Sequence, residues 1–150
     1  MPMDYKTCRR TFIYLNKVKM AKKTLESLFL ITPSPLIERM AKQRLDLLGQ
    51  FQLQLVSYLM DCSHQLPFNP SERCRGVVFW FAAQKITETV DEEVVIYKME
   101  MADNMMRSEC LHLLSDNSIP EKLREVLEAH VNRIAELKPK QKSSTILGGI

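Results

Sequence analysis

The stretch Thr32-Pro33-Ser34-Pro35 separates two long runs of helix-forming sequence, and it restricts the fold more than any other feature. Upstream of it, Phe12, Leu15, Val18, Leu25, Leu28 and Phe29 recur at spacings of three, four and seven. That pattern is an apolar stripe on a helix running from Asp4 or Tyr5 to Ile31. Pro33 disfavours helical geometry at Thr32 and ends the helix there. Ser34 is then a good N-cap, and Pro35 occupies the first helical position, where its missing N–H costs nothing. The second helix carries Leu36, Met40, Leu47, Leu48, Phe51, Leu55, Leu59 and Met60 and runs to about Ser63. So short a link predicts an antiparallel hairpin.

A second pair follows the same logic. Thr89-Val-Asp-Glu92 has the pattern of a capping box and predicts a helix starting near Val90 and ending near Leu114. Its expected apolar stripe is Val94, Ile96, Tyr97, Met101, Met105, Leu111 and Leu114. Ser115-Asp-Asn-Ser118 is a turn. Ser118-Ile-Pro-Glu121 reads as another capping box with an early proline, opening a fourth helix that reaches about Leu137. On it, Leu123, Val126 or Leu127, His130, Ile134 and Leu137 share a face. Pro139 ends it.

Between the pairs, the two-proline loop 65–73 leads into a strongly apolar helical segment over 74–88. A connection of that length can run the height of a bundle. Its consecutive Phe79, Trp80 and Phe81 cannot all face one way. Either the segment is buried as a clasp, or one of these rings marks an interaction surface.

Composition agrees with an all-α fold: only 4 Gly among 150 residues, 9 Met, and 45% apolar residues to fill a core. The domain is expected to span 1–137, with a basic, disordered tail over 138–150. MPMDYKTCRR lacks a secretory h-region, and no apolar run reaches the roughly 18 residues of a membrane span. The expected location is therefore cytoplasmic. Cys8, Cys62, Cys74 and Cys110 are then reduced core residues, with a Cys62–Cys74 bridge as the alternative.

The net charge of +3 is mild, but its distribution is uneven. Lys6, Arg9, Arg10, Lys17, Lys19, Lys22 and Lys23 make the first helix basic. Asp91, Glu92, Glu93, Glu100, Asp103 and Glu109 make the third acidic. Adjacent packing of the two helices explains this economically. Weak nucleic-acid binding through the first helix and the tail is the functional alternative, although only Tyr5 and Tyr14 accompany those charges.

The pieces Ser34-Pro35-Leu36, Asp91-Glu92-Glu93, Met101-Ala-Asp-Asn through Leu114, and His130-Val-Asn-Arg-Ile-Ala-Glu-Leu137 together span about residues 10–137. In these the chain resembles an uncharacterised bacterial family of ferritin-like four-helix-bundle domains. The resemblance implies that fold and helix order, and no activity. The family carries Asp or Glu followed by Gly in the middle of its first helix, where this chain has Met20-Ala-Lys-Lys-Thr24. Any role of those acids does not carry over.

Glu109-Cys-Leu-His112 has the Glu-x-x-His spacing of half a di-iron site, which needs a second such motif and one Glu from each remaining helix. The inventory falls short. The first helix offers only Glu26 in its interior, the second has no His, and the residue three before His130 is Leu127. No phosphate loop or nucleophile–base pair is legible either, and no cofactor is expected. The expected role is therefore non-catalytic: a module that binds a protein partner or a second copy of itself, most simply as a dimer. The alternative is a metal-binding ferritin-like protein using Glu109 and His112, with His130 as a further ligand.

Overall fold

The Thr-Pro-Ser-Pro break falls where its chemistry requires. In the computed structural model, which describes residues 5–59 and 91–137, α1 spans Tyr5–Ile31 and α2 spans Pro35–Leu59. Ser34 caps α2: the Ile37 N–H donates to its Oγ at 3.2 Å. The second pair is α3, Glu92–Leu114, and α4, Glu121–Glu136. The described residues contain no strand, and no helix among them is long and apolar enough to cross a membrane. The segment 74–88 with Phe79, Trp80 and Phe81, the Ser63 end of the second helix, Thr89, Cys62, Cys74 and the tail all lie outside the described residues.

α1 packs chiefly on α2 and α3 on α4, and the two hairpins meet along α2 and α4. The far ends of α1 fix the topology. Thr7 Oγ1 donates to Asp116 and lies 3.0 Å from Ser118 Oγ, both in the α3–α4 turn. At the other end, Ser34 Oγ donates to Glu92 at the start of α3. Hence α2 and α3 run in the same direction, and α2 finishes at the opposite end from the start of α3. Its 25 residues correspond to about 37 Å of helix.

Burial follows most of the apolar stripes on α1, α2 and α4, but Leu36 is exposed on the first turn of α2, Phe12, Phe29, Leu47 and Leu137 are only half-buried, and Met60 lies outside the described residues. Leu15, Val18, Leu25 and Leu28 of α1 are buried, as are Met40, Leu48, Phe51, Leu55 and Leu59 of α2 and Leu123, Leu127, His130 and Ile134 of α4. The α3 stripe is out of phase with expectation. Val94, Tyr97 and Leu111 are exposed, and the buried face is Val95, Met99, Ala102, Asp103, Met106, Cys110 and Leu113. Adjacent apolar pairs (Val94/Val95, Met105/Met106) make the register ambiguous. A buried aspartate then looks like a solvent position until its partner is known.

Two caps also differ from expectation. Asp91 is the N-cap of α3, its carboxylate accepting from Glu93 N and Val94 N. Pro120, not Ser118, immediately precedes α4 and makes no side-chain cap. Ser118 is engaged elsewhere: its hydroxyl donates to Asp116 Oδ1 at 2.7 Å. The acidic turn residue captures the hydroxyl that would otherwise have capped the helix.

Candidate functional site: a buried polar knot and the cleft beside it

Among the described residues, two buried polar clusters join different helices, and neither contains three or more metal-ligating side chains. The first joins α2 to α3. Arg44, 2% exposed, extends from the apolar row of Met40, Leu48 and Phe51. Its Nε lies 3.1 Å from both Asp103 oxygens, and Nη2 lies 2.6 Å from Oδ2. Nη1 donates to the Met40 carbonyl. The pair is forked, so the two charges compensate each other at the α2–α3 contact.

The second set involves all four helices. The Tyr14 hydroxyl of α1 donates to the Met106 carbonyl of α3 at 3.0 Å and lies 3.2 Å from His130 Nε2 of α4. A tyrosine has one proton to give, and Met106 receives it. His130 must therefore donate from Nε2, which leaves Nδ1 as the bare acceptor. Nδ1 is buried and has no partner among the described residues. Phe51 of α2 stacks on the imidazole at 3.7 Å between ring centroids and 11° between planes. Cys110 lies against Tyr14, with Sγ 3.6 Å from the Leu127 carbonyl.

Burial holds each of these groups in its neutral form. It lowers the His130 pKa to about 3, with Arg133 adding to the effect. It pushes the Cys110 thiol up to about 12 against a smaller opposing bond from Tyr14. It also raises the Tyr14 phenol well above its usual value, helped by Cys110 and Glu109. A general base needs a pKa near the working pH, and a nucleophilic cysteine needs a thiolate. With its groups held neutral, this knot supplies neither.

Tyr14 also forms part of the floor of an open cleft of about 630 Å³ between α1 and α3. On α1, Arg10, Ile13 and Lys17 share the helical face that lines it; on α3, Ser108, Glu109, Leu111 and His112 do so. Lys17 Nζ pairs with Glu109 Oε2 at 2.9 Å. Basic and acidic helices therefore do lie side by side, as their charges suggest.

Glu109 and His112, the sequence candidates for metal, thus reach one cleft, but Glu109 is already paired with Lys17. His130 lies in the core beneath Tyr14. No group of three or more His, Cys, Asp or Glu side chains able to hold a metal occurs among the described residues. Sequence reasoning missed Arg44, Asp103 and Tyr14. Arg44 had a legible signal, being a charge inside the buried row of α2. Tyr14 and Asp103 had none without the packing. No family model, curated protein or solved structure matches the chain.

Proposed function

We propose that this protein is a non-catalytic, ferritin-like helical bundle that acts by binding a second copy of itself through one end. In this reading the stretch from Leu59 to Asp91 is the single long crossover that ferritin-like connectivity requires. The parallel α2 and α3 support that connectivity.

The observation that carries the functional reading is the apolar surface at the α1–α2 turn. Leu30 is 79% exposed and Ile31 57%, and Leu36 is also exposed on the first turn of α2. The start of α3, held there by the Ser34–Glu92 contact, adds exposed Val94 and Tyr97. Large apolar side chains grouped at one end of a bundle are what an interface supplies. Among the described residues, the buried Arg44 and Asp103 are paired and Tyr14, Cys110 and His130 are held neutral by burial, which is compatible with a recognition role.

Sedimentation equilibrium over a wide concentration range tests this reading. A dimer that shifts toward monomer in Leu30→Ser with Ile31→Ser supports it. A wild-type monomer at every concentration refutes self-association. A dimer unchanged in the double variant refutes the assigned surface.

A further inference from the structure

The α1–α3 cleft lies between helices that touch little, toward the opposite end from the exposed apolar residues. Its volume, about 630 Å³, is within the range of small-molecule pockets, about 300–1,000 Å³. Arg10, Lys17, Ser108 and His112 give it a guanidinium, an ammonium, a hydroxyl and an imidazole. Ile13 and Leu111 supply apolar wall.

The two cations are not equally committed. Lys17 is held by Glu109 at 2.9 Å. Arg10 comes only within 3.5 Å of Asp116, beyond hydrogen-bond length for a guanidinium. Asp116 hardly needs it. That carboxylate already accepts from the Ser118 amide and hydroxyl and from Thr7, and these bonds hold its pKa below the usual carboxylate value ahead of any effect of Arg10. Arg10 is therefore an oriented fork with donor capacity to spare at the rim of a part-apolar cleft. Such a fork matches a phosphate or carboxylate through two parallel bonds.

We infer that the α1–α3 cleft binds a small organic phosphate, with Arg10 gripping the phosphate and Lys17, Ser108 and His112 completing the donor set. The apolar part of the ligand lies against Ile13 and Leu111. Phosphate is favoured over carboxylate because four donor-bearing side chains face a group with three terminal oxygens. Glu109 opposes the anion and restrains Lys17, so it sets the affinity without making contact.

The test is a titration of the full chain with phenyl phosphate, followed residue by residue in amide and imidazole NMR spectra. Saturable shifts confined to the cleft, including Ser108 and His112, are expected. Arg10→Gln should weaken binding about tenfold. Lys17→Gln should weaken it less, because that charge is already shared. Glu109→Gln should strengthen it, a gain that no loss of folding can mimic. Phenylacetate and inorganic phosphate should each bind more weakly, one lacking oxygens and the other the ring. The absence of cleft shifts overturns the proposal, as do equal affinity in Arg10→Gln or phenylacetate binding as tightly as phenyl phosphate. None of these outcomes depends on the association state that tests the end surface.

Discussion

Replacing Asp103 with Leu leaves the Arg44 guanidinium in the core without its counter-charge. In the native protein Arg44 makes three contacts to that carboxylate and one to the Met40 carbonyl, at 2% exposure. Removing one partner of such a pair costs about 3–5 kcal/mol, because the desolvation of the survivor is no longer offset. A domain of this size has roughly 5–15 kcal/mol in total, so Asp103→Leu should leave it marginal or unfolded. Arg44→Met alone should also destabilise, by removing the guanidinium opposite the carboxylate. The double variant behaves differently. Methionine and leucine fill similar volumes among Leu48, Met99 and Met106, and a well-packed apolar replacement is neutral or stabilising by about 1–4 kcal/mol. Urea unfolding followed by far-UV circular dichroism, with m-values checked for constancy, should place the double variant at or above wild type. The coupling energy should exceed about 3 kcal/mol. Single losses below about 1 kcal/mol, or a double variant as weak as the sum of the singles, would refute the assignment of both charges to the core.

Three further outcomes follow from the polar knot and its surroundings. His130 has a folded pKa of about 3, below an unfolded value of about 6.5. The unfolded state therefore binds the proton first. Stability contributed by the neutral imidazole is complete above about pH 6.5 and falls as pH drops toward 3, by up to about 1.4 kcal/mol per pH unit. His130→Phe should flatten that limb when urea midpoints are compared at pH 7 and pH 5, and an unchanged slope would place the ring in solvent. Cys110, buried with its thiol pushed up to about 12, should resist alkylation until the bundle unfolds. Rapid labelling mapped to its peptide in native buffer would contradict the burial. Phe51→Ala should cost about 3–5 kcal/mol, whereas Leu53→Ala, 77% exposed, should stay within about 0.5 kcal/mol; thermal melts of the two variants decide this.

Much of the helical architecture was legible because punctuation and periodicity agree at the α1–α2 turn. Pro33, Ser34 and Pro35 fix both its position and its short length. The α3 phase was not legible, because apolar side chains occur in adjacent pairs around that helix. What breaks the tie is Asp103, and an aspartate becomes a core residue only once Arg44 stands opposite it. The same holds for the α4 start. Ser118 has the spacing of a cap, but its hydroxyl is taken by Asp116 and Thr7, a contact between residues far apart in sequence. Glu109 and His112 were found as a local spacing. The cleft that gives them a setting depends on Arg10 and Lys17 arriving from α1, which no local pattern encodes.

The parallel course of α2 and α3 bears on the order of folding. Each hairpin can close through contacts near in sequence, and short helices and loops form within about a microsecond. Joining the hairpins must first close the chain between Leu59 and Asp91, an entropic cost that local contacts do not offset. Arg44 and Asp103 come from opposite sides of that closure, as do Phe51 and His130. A mismatched docking of the hairpins would strand two charges and an imidazole in hydrocarbon. Apolar packing alone would carry no such penalty against a mismatched docking.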